Sequence, residues 1–421
     1  MKLARTTGRG AKETERLLVQ LERRGERSSA DVLPVVRRIV DGVRQGGDEA
    51  LRRYSTRLDG LSAQSLLRIR REEMQRAWDA TPAALRNALE AAASNIREFA
   101  RRQLPVEWSF SPLPGLNTGQ VIRPLEAVGC YVPGGRYPLP STMLMTVIPA
   151  QVAGVRRIAV CSPRPAPETL AAAWLLGVTE FYQIGGAQAI AALAYGTESI
   201  ARVDKIVGPG NAFVTTAKTL VAFDCGIDML AGPTEIVVTS ETGDPAAIAS
   251  DLVAQAEHDP QALALLVTTQ DLLATAVIAE VKQRVKLNAI AKEAIRNSGY
   301  AVIASSVEEA HEITNRLAPE HLTVDAQEDV TWVRNAGSVF AGRYSPQPMG
   351  DYISGPNHTL PTGGLARVRG GLSVNDFVKV ITVQHYGAAA LRTLAPAAIT
   401  LAEAEGLHGH AEAIRMRAAH A

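Results

Sequence analysis

The stretch "RRIAVCSPRPAPETLAAAWLLGVTEFYQIGGAQAIAALAYG", residues 156–196, decides the fold class of this chain. Two short apolar runs, 156–162 and 180–186, are each followed by an alanine-rich segment with the composition of a helix. Alternation of strand and helix is typical of βαβ units, in which helices join parallel strands. The stretch therefore predicts part of a parallel sheet covered by helices.

The same alternation continues through 203–223, and a second series of apolar runs with helices between them follows. This second series consists of "TEIVVTS" (234–240), "ALALLVTTQ" (262–270), "AVIASS" (301–306), "HLTVD" (321–325) and "SVFAG" (338–342). Residues 29–104 show helical spacing, 342–372 form a long loop rich in Gly and Pro, and the segment from 373 is predicted to be helical. We therefore expect an α/β fold with two incomplete Rossmann-like parallel-sheet domains, a helical N-terminal segment and a helical C-terminal tail.

The composition excludes several classes of function. The chain has 421 residues, enough for about two to three domains, and its net charge of +1 gives no reason to expect nucleic-acid or membrane binding. No apolar run approaches the roughly 20 residues of a membrane span, and the N-terminus lacks the apolar core of a secretory signal. Cys130, Cys161 and Cys225 stand far apart, which is typical of reduced thiols in a cytoplasmic protein.

Three glycine-rich turns follow apolar runs of the first series. They are "YVPGGRYPLPST" (131–142), "QIGGAQAI" (183–190) and "GPGN" (208–211). The third glycine of the dinucleotide fingerprint is absent, since Phe213 stands at its place. Any one turn is equally compatible with a tight connection that binds nothing. Three in one sheet favour a phosphate-bearing ligand at the carboxyl edge of the strands.

Two short motifs combine residues that could move protons or bind a metal. In "QAEHDP" (255–260), Gln255 and His258 share one helix face while Glu257 faces elsewhere. In "LAPEHLTV" (317–324), Glu320 and His321 precede a strand and could serve as paired proton carriers. Taken alone, a capped helix end and an exposed polar turn remain the more frequent explanations.

Two further motifs lie nearer the C-terminus. "GDYISGPNHTLPTGG" (350–364) contains Asp351 and His358, and "EGLHGHAEAIRMR" (405–417) contains Glu405, His408 and His410. One glutamine oxygen, one aspartate and two imidazoles would form a mixed oxygen and nitrogen site that suits Zn²⁺ or Mn²⁺. The absence of HExxH disfavours a zincin protease.

The motifs together resemble the histidinol dehydrogenase family from about residue 20 to 418, in the order found in that family. The resemblance rests on "YVPGG", "GGAQAIAALAYGT", "DKIVGPGNAFV", "AGPTEIVV", "SDLVAQAEHDP", "LAPEHL", "GPNHTLPTGG" and "EGLHGHAEAIRMR". It implies an enzyme of the last steps of histidine biosynthesis, which oxidises L-histidinol through L-histidinal to L-histidine with two NAD⁺. It also implies one Zn²⁺ per subunit.

The resemblance assigns roles to individual residues. Glu320 and His321 would be the proton carriers, with His321 the base for both oxidations and Glu320 activating the water that hydrates the aldehyde. The zinc ligands, which also surround the substrate together with His321, would be Gln255, His258, Asp351 and His410. The remaining substrate contacts would be Thr234, His358 and Glu405, and the NAD contacts Tyr131, Gln188 and Asn211. His408 matches no ligand position.

Family members resemble one another in being homodimers whose C-terminal tails complete the partner's active site, so Glu405 and His410 would come from the second copy. We expect four segments: an arm (1–22), a larger domain with the metal ligands (23–130 plus 234–372), an NAD-binding domain (131–233) and the tail (373–421). Three alternatives stay open from the sequence. They are a zinc- and NAD-dependent dehydrogenase of another small polar alcohol such as a sulfonated diol, a zinc hydrolase and a non-catalytic metal-binding protein.

Overall fold

A computed structural model describes residues 1–27, 31–62, 64–134 and 137–421. The strands are β1 (Lys2–Arg5), β2 (Trp108–Leu113), β3 (Leu116–Pro124), β4 (Ala127–Tyr131), β5 (Arg157–Cys161), β6 (Glu180–Tyr182), β7 (Lys205–Val207), β8 (Gly226–Ile227), β9 (Glu235–Thr239), β10 (Leu263–Thr268), β11 (Gly299–Ile303), β12 (His321–Val324), β13 (Ser338–Ala341) and β14 (Val378–Tyr386). Residues 28–30, at the predicted start of the first helical segment, and residues 135 and 136, within the first glycine turn, lie outside the described residues.

The α-helices are α1 (Ala11–Glu22), α2 (Leu33–Asp59), α3 (Arg71–Ala80), α4 (Ala83–Arg102), α5 (Pro140–Ala153), α6 (Pro167–Leu175), α7 (Gly186–Tyr195), α8 (Ala212–Val221), α9 (Pro245–Ala256), α10 (Asp271–Arg284), α11 (Ala289–Ser298), α12 (Val307–Leu317), α13 (Pro348–Tyr352), α14 (Ala388–Ala404) and α15 (His408–Ala418). Short 3₁₀ turns lie at Gly8–Gly10, Arg24–Arg27, Val285–Leu287, Gln327–Trp332, Leu365–Arg367 and Val374–Phe377. Within the described residues, no helix combines the length and the apolar character needed to cross a membrane.

The quoted stretch forms part of a parallel sheet, as predicted. Among the described residues this sheet has five strands in the order β6-β5-β4-β7-β8. The chain builds outward from β4 to β6 on one side and then crosses to β7 on the other. This reversal of direction leaves a crevice beyond the carboxyl end of β4, where open α/β sheets bind ligands. Helices α2, α3 and α4 pack on α5–α8 of this layer.

The second apolar series forms a larger parallel sheet. Six strands of the described chain lie in the order β1-β11-β10-β9-β12-β13. The arm adds β1 to one edge, and β12 pairs with β9 so that His321 lies opposite Ile236. The strands β9 and β10 are buried along their whole length, because helices cover both faces. The α/β class with parallel sheets is therefore confirmed, while the four segment boundaries stay a prediction.

A third sheet was not expected. In the described chain it is antiparallel, with the order β14-β3-β2 and Ile381 opposite Val121. The prediction that the tail is helical from residue 373 is therefore wrong for Val378–Tyr386, and it is confirmed for α14 and α15. The predicted loop 342–372 contains one short helix, α13, and a 3₁₀ turn, and is otherwise irregular.

Candidate active site

The two predicted proton carriers lie where helix α12 gives way to strand β12. Ala318 ends the helix in the left-handed region with φ of 45°, Pro319 cannot continue it, and β12 begins at His321. Because β12 is the neighbour of β9, this turn lies beside the residues that begin β9. The pair therefore occupies the amino edge of the larger sheet, opposite to the edge at which open α/β sheets usually bind ligands.

Glu320 is held by the residues that lead into β9. Its Oε2 accepts hydrogen bonds from Thr234 Oγ1 at 2.6 Å and from the backbone N–H of Glu235 at 2.8 Å. These two bonds leave Oε1 as the carboxylate oxygen that can take a proton. Glu320 is buried, and both hydrogen bonds are stronger there than in bulk water because the local dielectric constant is lower.

Thr234 also fixes the orientation of Gln255. The Thr234 hydroxyl donates to Glu320, so it can only accept from the amide of Gln255, and Gln255 Nε2 fills that role. Gln255 is 2% exposed, and its Oε1 is buried without a hydrogen-bond partner. A bare amide oxygen in a buried polar site requires an explanation, and a bound cation provides one.

His321 is 3% exposed and has different neighbours on its two ring nitrogens. Nδ1 lies 3.0 Å from the Glu235 carbonyl oxygen, which can only accept, so Nδ1 carries the proton. Nε2 therefore presents its lone pair, 3.8 Å from Asp351 Oδ1. Burial lowers the pKa of His321, but the negative charges of Glu320 and Asp351 outweigh it and raise the pKa above its usual value. The neutral ring can act as a base through Nε2.

The long loop brings Asp351 and His358 to the same place. Gln347 Nε2 donates to Asp351 Oδ2 at 3.0 Å, which leaves Oδ1 toward His321. His358 Nδ1 lies 2.8 Å from the Asp351 carbonyl oxygen, and Nε2 lies 3.3 Å from Thr142 Oγ1 on α5. Burial lowers the pKa of His358. Because α5 belongs to the layer of the smaller sheet, the loop joins the two layers at the site.

The predicted metal ligands are brought together only in part. His258 is exposed and lies two residues beyond the end of α9, three residues after Gln255. Glu257 itself accepts from Asn288 Nδ2, away from the Gln255–His258 pair. The described residues hold no group of three or more His, Cys, Asp and Glu side chains suited to a metal. The predicted zinc ligands do not form such a group, because one of them is the amide oxygen of Gln255 and His410 lies on α15, away from the others.

Glu405 and His410 do not join the site within one chain. Both are exposed, Glu405 at the end of α14 and His410 on α15. Helix α15 packs mainly on α14. Exposed apolar side chains accompany these helices and the antiparallel sheet: Trp108, Phe110, Val380, Ile381, Val383, Leu401 and Met416.

The three predicted NAD contacts meet at the carboxyl edge of the smaller sheet. Tyr131 ends β4, is buried, and its hydroxyl accepts from the backbone N–H of Gly186 at 3.1 Å. Gln188 follows on the first turn of α7, fully buried, and its Oε1 has no partner. Asn211 caps α8, accepting from the N–H groups of Phe213 and Val214. The two helix N-termini offer partial positive charge to phosphates.

A family model described as histidinol dehydrogenase matches residues 22–418. The histidinol dehydrogenases of Methanothermobacter thermautotrophicus and Geobacillus kaustophilus are 46% and 47% identical to this chain, over 96% and 95% of its length and 97% of each relative. The chain belongs to the histidinol dehydrogenase family. It is therefore an NAD-dependent oxidoreductase, as the resemblance implied. A crystal structure of histidinol dehydrogenase from Elizabethkingia anophelis matches with a TM-score of 0.92 at 34% identity, covering 99% of this chain and 98% of that one.

Sequence reasoning missed Glu235, which holds Glu320 and His321 through its backbone. Its N–H and carbonyl hold Glu320 and His321, and its carboxylate accepts from Gly363 N at 2.8 Å. The same carboxylate forms a two-point ion pair with Arg24 at 2.5 Å. Its place directly after Thr234 in "AGPTEIVV" was the available signal, but a charged residue at a strand start usually faces solvent.

Asp59 was also missed. Its Oδ2 accepts from Gly185 N and from Gln188 Nε2, both at 3.0 Å, so the amide oxygen of Gln188 must point the other way. Burial raises the pKa of Asp59. Asp59 ends a long helix of the N-terminal segment, and nothing in its local sequence indicates that it reaches the carboxyl edge of the smaller sheet.

Proposed function

We propose that this chain oxidises L-histidinol to L-histidine in two successive NAD-dependent steps through L-histidinal. The observation that carries the proposal is the buried Glu320–His321 pair in a chain of the histidinol dehydrogenase family, hydrogen-bonded to Thr234 and Glu235. A base and a water-activating carboxylate are the groups that oxidation of an alcohol and then of a hydrated aldehyde needs. The comparisons give no support to a sulfonated diol as substrate, to hydrolase activity or to a non-catalytic role.

His321 takes the proton of the carbinol hydroxyl through Nε2 in our assignment. The Glu235 carbonyl holds the ring by Nδ1–H, so the tautomer needed for this step exists before substrate arrives. When bound, NAD⁺ would accept the hydride in both oxidations. Tyr131, Gln188 and Asn211 are the side chains that would hold it. His321 serves as the base again after the aldehyde is hydrated.

Glu320 takes the proton of the water that adds to the aldehyde. Thr234 Oγ1 and Glu235 N fix one carboxylate oxygen and so direct the other. Thr234 and His358 would contact the substrate beside Gln255, His258, His321 and Asp351, and Glu405 and His410 of the partner subunit would complete the pocket. Holding the reacting groups in place before reaction converts binding energy into rate.

A zinc ion fits the donor set at this site. The bare Gln255 Oε1, the imidazole of His258 and the Oδ1 atom of Asp351 are oxygen and nitrogen donors that Zn²⁺ accepts, and His410 of the partner subunit would be the fourth. When bound, zinc would supply the charge that holds the amino and imidazole groups of histidinol. The hydrogen bond from Gln347 to Asp351 is the kind of outer contact that orients a metal ligand.

The exposed tail supports a homodimer in which each tail completes the site of the other copy. Val380 on β14 is 54% exposed and Leu401 on α14 is 65% exposed. Apolar surface of this kind is typical of an interface.

All three cysteines are buried and unpaired, in keeping with the reducing cytoplasm that we expect.

The purified protein should form two NADH per L-histidinol when NAD⁺ is added. A chelator that removes zinc should abolish this activity, and added Zn²⁺ should restore it. If no NADH forms with L-histidinol, the substrate assignment is wrong. Full activity after verified removal of the metal would refute the zinc assignment while leaving the substrate intact.

A further inference from the structure

A buried ion pair lies beneath one of the glycine turns at the NAD edge. Lys218 on α8 contacts Asp228, which directly follows β8. The Lys218 side chain is 2% exposed and the Asp228 side chain is 0% exposed. An ion pair withdrawn from water this completely does not stabilise a fold by its charges alone, because desolvation offsets their attraction. Its location therefore calls for a specific reason.

The two side chains form hydrogen bonds to both backbone polar groups of one residue, Gly208. Asp228 Oδ2 accepts from Gly208 N at 2.7 Å, and Lys218 Nζ donates to the Gly208 carbonyl oxygen at 2.9 Å. Asp228 Oδ1 also accepts from Met229 N at 2.6 Å. Both charged groups therefore bond to the backbone of the turn, and the Lys218 ammonium group is buried.

Gly208 occupies a position that only glycine can hold. Its φ is 115°, and a Cβ atom there would lie 2.1 Å from the carbonyl oxygen of Tyr131. Three residues later Asn211 caps α8. Gly208 is therefore the point at which the end of β4 and the start of α8 are fixed to each other, between two side chains that we assign to NAD.

We propose that Lys218 and Asp228 are positioning residues for the dinucleotide: they fix the turn 208–211 in its binding geometry before NAD⁺ arrives. A turn with two glycines is otherwise free to adopt many conformations, and NAD⁺ would pay that ordering cost on binding. The pair acts on NAD⁺ affinity and leaves the chemical step at Glu320 and His321 unchanged. The inference rests on the proposed assignment of NAD to this edge.

A second ion pair in the same sheet offers a matched control. Arg157 and Glu180 are joined at 3.0 Å at the amino ends of β5 and β6, on the edge opposite the glycine turns. The Arg157→Gln variant removes an ion pair from the same layer without touching Gly208. It separates general loosening of the sheet from a specific effect on the turn.

The experiment compares Lys218→Met, Asp228→Asn and the double variant with Arg157→Gln as full-length, zinc-loaded protein. Fluorescence titration gives the Kd for NAD⁺, and steady-state kinetics give kcat and both KM values. We expect Kd and KM for NAD⁺ to rise at least about tenfold in the three variants, because NAD⁺ must then order the turn when it binds. We expect kcat at saturating NAD⁺ and the KM for histidinol to stay within about twofold, and the control to match the wild type.

Folded variants with the wild-type Kd for NAD⁺ would overturn the inference, as would an equal weakening in Arg157→Gln. A fall in kcat with unchanged KM for NAD⁺ would overturn it as well. If a single variant does not fold because one buried charge has lost its partner, the double variant decides, since it leaves no charge unpaired. Absence of NAD⁺ binding to the wild type would remove the cofactor assignment itself and this inference with it.

Discussion

Replacing Glu320 by glutamine separates the work of Glu320 from that of His321. The glutamine oxygen can still accept from Thr234 Oγ1 and Glu235 N, the two donors that hold the carboxylate at 2.6 and 2.8 Å. A hydrogen bond to a charged group contributes about 1 kcal/mol more than one to a neutral group. Two such bonds put the loss of folding stability at roughly 2 kcal/mol, and we expect the Glu320→Gln variant to fold.

The kinetic loss should be larger and confined to one oxidation. Removal of a general base typically slows its step by about 10²- to 10⁴-fold, which corresponds to about 3–5 kcal/mol of activation free energy. In our assignment Glu320 acts only on the water that adds to L-histidinal. Oxidation of the alcohol should therefore keep its rate within about tenfold, since His321 remains. The first turnover should release about one NADH per histidinol and accumulate the aldehyde.

Stopped-flow measurement of NADH, started separately from L-histidinol and from L-histidinal, resolves the two oxidations. Glu241→Gln is the matched control: Glu241 lies just beyond the other end of β9 and accepts from Thr269 N at 3.0 Å and from the Thr269 hydroxyl. That variant loses the same kind of bonds and should keep both rates. If Glu320→Gln slows the alcohol step as much as the aldehyde step, the water-activating role is wrong.

Three other perturbations give distinct outcomes. Gln347→Leu frees Asp351 Oδ2 and should weaken zinc binding about tenfold in a chelator competition assay; unchanged affinity would exclude the outer contact. His410→Ala and Gln255→Ala should each be inactive, and an equal mixture that exchanges subunits should recover about a quarter of the activity, whereas no recovery in verified mixed dimers counts against shared sites. Asp251 has a pKa raised to about 6 by burial, so its ionised form destabilises the fold as pH rises through about 4 to 6. Asp251→Asn should therefore gain about 1–2 kcal/mol at pH 8 after allowance for partial exposure, and nothing below pH 4, measured by urea unfolding; an equal gain at both pH values would contradict this origin.

The sequence predicted the parallel layers because their signal is local. The run 156–196 alternates strand and helix within about 40 residues, and each strand lies beside one of its neighbours in sequence. The pairing of strand β14 could not be predicted in this way, because its partner β3 precedes it by more than 250 residues and almost all of its side chains are exposed. Its sequence, VKVITVQHY, is rich in the β-branched residues that favour a strand, and the helical prediction overlooked this signal.

The site was predictable to the extent that its residues are close in sequence. Helix spacing pairs Gln255 with His258, and the sequence "PEH" places Glu320 beside His321. The approach of Asp351 to His321 depends on a loop that folds back across two layers, which spacing does not reveal. The resemblance named those residues in advance. It did not reveal Asp59 or the backbone of Glu235, because their role lies in holding other side chains.

The ion pair between Arg24 and Glu235 links the turn that follows the arm to the strand whose backbone holds Glu320 and His321. The arm is attached by a four-residue edge strand, by α1 against α12 and by ion pairs from Arg316 to Glu15 and Glu22, and we expect it to fray before the interior strands on heating. If the arm detached together with the turn Arg24–Arg27 that follows it, the Glu235 carboxylate would stay buried without its counter-charge, next to the backbone groups that hold Glu320 and His321. We therefore expect heat inactivation to begin locally at the N-terminus, before the sheets melt, and we expect removal of residues 1–27 to lower turnover although these residues lie outside the pocket.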